Sequence, residues 1–323
     1  MYQLNWDINF KNEQGDWKLG ILAECEIEKS VKNLSDTATI ILPEAHMNKV
    51  LRVQDSIKRG DQVTIKLGYD RDLVTEFEGF VKEIITNDSS LKIKCEDALF
   101  LFRKGVPNKQ FKSVTVLELA QYLVKNVDPS YKIVCDYNIA YDKYTIFKAE
   151  AIDVLAKIQE ETGADIFFDT KNKELHIHPA YTRKGGEADY SMQHNIETSS
   201  MEYKSADDRK IEITVESVGL DGKTISTTVG HAGGEKITKK VGRMSKNAIK
   251  IIADTEYKNR MAPGYEGSFD AWLIPYVEPS YTIGYYDADY PSRDGRYYVE
   301  SVTVKFSESG GIRSINPSIK LSV

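Results

Sequence analysis

Between Arg59 and Glu96 the chain reads RGDQVTIKLGYDRDLVTEFEGFVKEIITNDSSLKIKCE, and a period of two runs through it. Val63, Ile65, Leu67 and Tyr69 alternate with Gln62, Thr64, Lys66 and Gly68. That spacing places an apolar and a polar row on opposite faces of a strand. Asp70-Arg-Asp72 supplies a turn, Phe77 to Ile85 the return strand, and Asn87 to Ser90 a second turn. Leu91, Ile93 and Cys95 then alternate with Lys92, Lys94 and Glu96. Three successive strands make a β-meander, whose apolar face requires a second surface to cover it.

The preceding residues offer such a surface. Leu4, Trp6, Ile8 and Phe10 alternate with polar neighbours, the Asn12–Gly15 turn leads to a strand over Trp17–Leu22, and residues 23–29 and Thr37–Leu42 add two more. With the meander this gives about six antiparallel strands in residues 1–104, enough for a small closed barrel or sandwich. Composition changes after Arg103-Lys-Gly105-Val-Pro107. Thr115 and Glu118 form a capping box for a helix ending near Val127, and Ala151–Thr162 reads as a second helix capped by Gly163. Ile166–Phe168 and Leu175–Ile177 flank a hairpin turn, so residues 108–182 are expected to form an α+β domain. Residues 185–323 return to strands, with one helix capped by Ser245 that places Ala248, Ile251, Ile252 and Thr255 on its buried side. In this span Tyr281–Tyr285 echoes Val63–Leu67 and Gly295–Val302 echoes Gly79–Ile84, each beside a turn. The expected fold is therefore mainly β: two tube-like antiparallel β-barrel modules, related by duplication, flank a small α+β domain.

Composition narrows the function classes. At 323 residues two or three domains are expected, and 41% hydrophobic with 28% charged residues is a globular profile. Three cysteines cannot all pair within the chain; Cys25 and Cys95 lie in apolar strand patterns and read as buried thiols of a reducing compartment. The N-terminus lacks a secretory leader pattern, no apolar run suits a membrane anchor, and a net charge of −6 gives no electrostatic case for nucleic-acid binding.

No constellation in the sequence marks a catalyst, cofactor site or metal site. His176 and His178 share one strand face but lack an evident further ligand, so they read as surface histidines. The run Asp287–Asp294 fails as a calcium loop, because Pro291 and Ser292 stand where an oxygen ligand and glycine belong. Gly230–Lys236 fails as a phosphate loop at Glu235 and Ile237 and reads as a hairpin turn or mobile loop. Lys236, Lys239, Lys240, Arg243, Lys246 and Lys250 form a solvated basic face or a docking surface for an acidic partner. Carboxylates such as Glu76 and Glu78 read as strand surface.

Several framework motifs carry a family resemblance. They are Leu34-Ser-Asp-Thr-Ala-Thr-Ile-Ile-Leu-Pro43, Gly60-Asp-Gln-Val-Thr-Ile65, Leu67-Gly-Tyr69 and Thr75-Glu-Phe-Glu-Gly-Phe-Val81, followed by Ser205-Ala-Asp-Asp208, Gly264-Tyr-Glu-Gly-Ser-Phe269 and Gly295-Arg-Tyr-Tyr-Val299. In this order the chain resembles the late-control protein D, or baseplate-hub, family of contractile phage tails, which includes the hub half of type VI secretion spike proteins. Pro279-Ser280 departs from the Gly-Asp turn seen at Gly60-Asp61. The resemblance implies a non-enzymatic homotrimer forming a pseudo-sixfold ring between tail tube and spike. It implies as partners a tail-tube protein, a separate spike protein and baseplate proteins, with DNA or an effector passing the lumen unbound. The implied location is a virion tail, baseplate or injection particle, with synthesis and assembly in the bacterial cytoplasm. The alternatives are a β protein binding carbohydrate or nucleic acid through stacked tyrosines, and a cell-wall hydrolase.

Overall fold

The computed structural model describes residues 3–43, 56–86, 90–205 and 210–322. Most of the Asn87–Ser90 turn, and residues 206–208 of the Ser205–Asp208 motif, lie outside the described residues. Strands β1 (Leu4–Asn12), β2 (Gly15–Lys18), β3 (Glu24–Ser30), β4 (Thr37–Leu42), β5 (Gln62–Tyr69), β6 (Asp72–Thr86) and β7 (Leu91–Glu96) open the chain. After the single turn of α1 (Leu99–Phe102) come β8 (Lys109–Phe111), β9 (Val114–Thr115), α2 (Val116–Val127), β10 (Lys132–Cys135) and β11 (Ala140–Ile146). Next are α3 (Ala151–Thr162), β12 (Asp165–Asp169) and β13 (Glu174–His178), then β14 (Glu187–Ser191), β15 (Thr198–Ser199) and β16 (Glu202–Lys204). The chain continues with β17 (Ile211–Val218), β18 (Thr224–Gly230), β19 (Glu235–Lys240), β20 (Arg243–Met244) and α4 (Lys246–Met261). It closes with β21 (Gly264–Glu266), β22 (Phe269–Trp272), β23 (Thr282–Tyr286), β24 (Gly295–Ser307) and β25 (Gly310–Ser322). Among the described residues no helix is long and apolar enough to cross a membrane.

The early and late strands join in one sheet, in the order β2-β1-β5-β6-β7-β4-β3-β24-β25-β22-β15, with β23 on β24 and β14 on β23. Its inner face buries one core that includes Ile8, Phe10, Ile27, Ile40, Val63, Ile65 and Ile93 from the early strands. The late strands add Tyr190, Phe269, Ile283, Tyr297, Val302, Val304 and Ile315. A second core gathers α1, α2 and α3 with β10–β13, and also Ile211, Ile213 and Val215 of β17 and Ala248, Ile249, Ile252 and Ala253 of α4. The strands of residues 185–323 thus serve two cores. Helix α4 is rotated slightly from the expected face: Ile249 and Ala253 are buried, whereas Ile251 is 38% exposed.

Local signals place the helices. Glu118 N donates to Thr115 Oγ1 at 3.1 Å and Thr115 N donates back to Glu118 Oε2 at 2.8 Å, closing the capping box of α2. Gly163 ends α3 at φ 69°, the left-handed position where a side chain is disfavoured.

The echo within the sequence is a structural repeat. Turn residues Lys58–Asp61 have Gly60 at φ 95°, and turn residues Glu278–Tyr281 have Ser280 at φ 72°. From the first turn Gly60 N donates to Val81 O, and Val81 N donates to Asp61 O, both at 2.8 Å. From the second, Ser280 N donates to Val299 O and Val299 N donates to Tyr281 O, both at 2.9 Å. Ladder pairs Gln62–Phe80 and Val63–Gly79 correspond to Thr282–Tyr298 and Ile283–Tyr297. Ile283 therefore matches Val63, and Tyr297 matches Gly79. Both echoes read from sequence are displaced by two residues, a shift that keeps every side chain on its proper face. The modules differ at the next strand, since β1 pairs antiparallel with β5 but β14 runs parallel to β23.

Candidate functional site: the seam between the β modules

Strand β24 fuses the two modules. Its first residues pair with β23, and Ser301–Ser307 pair with Ser30–Glu24 of β3 in seven consecutive registers. Beside this junction lies a cluster of ionisable side chains. β6 carries a bulge between the pairs Ile65–Phe77 and Lys66–Thr75, which leaves Glu76 without a ladder partner. The extra residue interrupts the alternation, so Glu76 and Phe77 are both buried. This corrects the expectation that Glu76 is a surface carboxylate. On β25 the alternation carries Arg313 to the inner face with Ile315, and Arg313 is 1% exposed. Its Nη2 donates to Glu76 Oε1 at 2.6 Å and to Leu273 O at 3.0 Å, while Nη1 donates to Val277 O at 3.1 Å. The Tyr276 ring lies 5.0 Å from the guanidinium.

Further along the seam, Lys29 Nζ of β3 meets Glu278 Oε1 at 2.9 Å, and Tyr276 Oη also bonds Glu278. Burial acts to lower the Lys29 pKa, but the carboxylates of Glu278, Glu76 and Asp36 outweigh it and hold it above the usual lysine value. Burial likewise opposes ionisation of Glu278, yet Lys29 and Tyr276 hold its carboxyl below the usual range. Asp36 and Asp97 lie at the first-module side of this network, where Asp36 N donates to Asp97 Oδ2 at 3.0 Å. Desolvation pushes the Asp36 carboxyl up to about 6, and desolvation together with the nearby Asp36 charge raises Asp97 well above the normal value.

A cleft of about 630 Å³ opens over this seam, lined by Lys29, Glu76 and Glu278 together with Asp169, His176 and Arg183. His176 and His178 share a face of β13 as expected, but they are 2% and 3% exposed, so they are interior groups. The His176 ring stacks on Phe167, its cross-strand neighbour, with centroids 4.8 Å apart and planes 2° from parallel. Burial, followed by the charge of Arg183, lowers the His176 pKa. The further acidic groups unseen in sequence are Asp169 and Glu174, opposite each other where β12 turns into β13. Glu174 stands two residues before His176 on β13, so the period of two puts both on one face, and the hairpin register adds Asp169.

The other motifs resolve simply. Asp287–Asp294 is a self-bonded turn: Asp294 Oδ1 accepts from Asp287 N at 2.8 Å, and Asp287 Oδ1 accepts from Asp289 N at 3.0 Å. Residues 231–234 do not form a hairpin, because β18 and β19 lie on opposite sides of β17. This connection crosses the start of β17, where a Cβ on Gly234 would fall 2.4 Å from Lys210 O. In the basic segment Lys236, Lys240, Lys246 and Lys250 are exposed, and Lys239 Nζ reaches Glu256 at 4.0 Å. The tyrosines considered as stacking surfaces are largely interior: Tyr190, Tyr265, Tyr285 and Tyr297 pack with Phe269 in the late-module core.

The sequence matches no protein-family model and no curated protein. The fold does have solved counterparts. It is similar to a tail protein from Neisseria meningitidis MC58 (TM-score 0.68, 14% identity, 98% of this chain and 97% of that one). It is also similar to the 43 kDa tail protein of prophage MuSo2 from Shewanella oneidensis (TM-score 0.66, 14% identity, 98% of both chains). A third counterpart is an E. coli type VI secretion component described as resembling T4 tail proteins gp27 and gp5 (TM-score 0.63, 10% identity, 98% of this chain, 77% of that one). The chain thus has the mainly β fold shared by phage tail proteins and type VI secretion spike-related proteins.

Proposed function

We propose that this chain is a structural, non-enzymatic hub of a contractile phage tail or related injection system. Three copies would form a ring that joins a tail tube to a spike, with baseplate proteins around it. The observation that carries this reading is the repeat fused by β24 and β3. One chain presents two like wall elements, so a threefold assembly presents six. The likeness in fold to tail and secretion proteins supports the same role and a place in the tail or baseplate. DNA or an effector would pass the lumen without a specific site. The duplicated modules, the early and late strands of the shared sheet, would form the wall, and the α+β region would stand outside it.

Light scattering of concentrated purified protein, alone and with tube and spike proteins, is the test. The expected result is a trimer that binds both. A strict monomer with both partners present would overturn the reading. The tyrosine-based binding alternative predicts carbohydrate or nucleic-acid affinity in the isolated chain, and the interior position of the tyrosine cluster weighs against it.

A further inference from the structure

The β12–β13 hairpin brings Asp169, Glu174 and His176 together at the cleft, each with one ligand atom within 4.8 Å of the others. Three close contacts connect His176 with its neighbours. Asp136 Oδ1 lies 2.8 Å from His178 Nδ1, His178 Nε2 lies 3.1 Å from His176 Nδ1, and His176 Nε2 lies 3.1 Å from Glu174 Oε2.

Each contact needs one proton between its heavy atoms, and two neutral imidazoles bring only two. In the arrangement where the Asp136 carboxylate accepts, His178 donates from Nδ1. His178 Nε2 is then an acceptor, and it takes the proton of His176 Nδ1. His176 Nε2 is left with a lone pair aimed at the Glu174 carboxylate, with Asp169 beside it. Two electron-rich atoms at this distance require a positive centre between them: a third proton or a metal ion.

We propose that Asp169, Glu174 and His176 bind a divalent transition-metal ion of the zinc class. One nitrogen and two carboxylates are a borderline donor set suited to such ions. Ligands about 2.0–2.2 Å from a tetrahedral ion stand a little over 3 Å apart, matching the His176–Glu174 separation. The ring of His176 is already fixed, by Phe167 on its face and by His178 at Nδ1. His178 and Asp136 act as positioning residues that orient the ligand nitrogen. Asp169 must swing inward while its carboxylate still accepts from Asn172 N and Nδ2. Arg183, which lines the cleft and acts on His176, opposes the ion's charge, but the two ligand carboxylates outnumber it.

The test uses the full chain without an affinity tag, stripped with chelator and dialysed against zinc. Metal analysis should find about one zinc per chain. Affinity should fall at least about tenfold in Glu174→Gln and about 10–100-fold in His178→Asn. Glu174 is partly exposed, so its variant should keep the wild-type circular dichroism. Nitrogen-15 spectra of the metal-free chain near neutral pH should show His176 protonated at Nδ1 alone, with zinc shifting Nε2. A doubly protonated His176 in that state would mean that a proton fills the gap, and would overturn the proposal. So would wild-type protein that retains no zinc, or zinc binding unchanged by Glu174→Gln.

Discussion

Arg313 Nη2 donates to Glu76 Oε1 at 2.6 Å, and each side chain is 1% exposed. The pair joins β25 of the late module to the bulge in β6 of the early one. Glu76→Gln would leave the guanidinium buried without its counter-charge, at a cost of about 3–5 kcal/mol. Replacing both residues, Glu76→Gln with Arg313→Met, should recover much of that loss, because the guanidinium that lost its counter-charge is then gone as well. Chemical denaturation of the wild type and the two variants measures this; a loss under about 1 kcal/mol for Glu76→Gln would show that the pair does not hold the modules together.

Gly79 is a second point of close approach. A Cβ there would sit 2.3 Å from Glu96 O and 2.8 Å from the Phe77 ring. Backbone cannot yield as a side-chain tip can, so Gly79→Ala should cost about 1–3 kcal/mol. Gly105→Ala meets nothing within 4 Å and should stay within about 0.5 kcal/mol of wild type. Equal stabilities for the two variants would contradict this account.

The acid dependence of the seam has a definite sign. Burial raises Asp36 from 3.8 to about 6, so the folded chain holds this proton more tightly than the unfolded chain does. Its contribution to stability is greatest below the unfolded value, falls as pH rises toward about 6, and then levels off. Asn can still accept from Ser30 N, as Asp36 Oδ1 does at 3.1 Å, while removing the charge. Between about pH 4 and 7, Asp36→Asn should therefore gain up to about 3 kcal/mol on wild type. Asp97, which the Asp36 charge raises, is relieved in the variant and adds to the gain in the same direction, while Glu96, whose pKa is lowered, drives the opposite slope in both proteins. A difference that grows in favour of wild type with rising pH would refute the assignment.

Thiol labelling offers a check on the cores. Burial pushes the Cys25 thiol up to about 12 and Cys95 higher still, whereas Cys135 is only half-buried. Burial raises Cys135 as well, so one cysteine per native chain should react near about pH 8 more slowly than a free thiol, and all three should react readily after denaturation, since the thiolate is the reactive form. Fast labelling of Cys25 or Cys95 would mean that the shared sheet opens locally.

What sequence could reveal followed how local the cause was. The β5–β7 meander, the Thr115–Glu118 capping box, the Gly163 cap and the β12–β13 hairpin rest on neighbours a few residues apart, and each is present. The repeat was visible too, though two residues out of step, because alternation fixes the face of a strand and not its register. The burial of Glu76 is not legible in the sequence, because a bulge changes that parity without leaving a mark in composition. The Asp136–His178 contact and the Arg313–Glu76 pair join distant segments, for which no spacing rule exists, whereas Glu174, His176 and His178 share one face of β13 by the period of two.

The pairing of β3 with β24 sets a condition on biosynthesis. Ser30 Oγ donates to the carbonyl of Glu300, a residue 270 positions later. At about 5–20 residues per second, the ribosome leaves the edge of β3 bare for tens of seconds after that strand emerges. During this interval another nascent chain could occupy it, since an unpaired edge accepts any strand. Glu24, Glu26 and Glu28, exposed along β3, place like charges on neighbouring copies and make that encounter unfavourable until the cognate strand arrives.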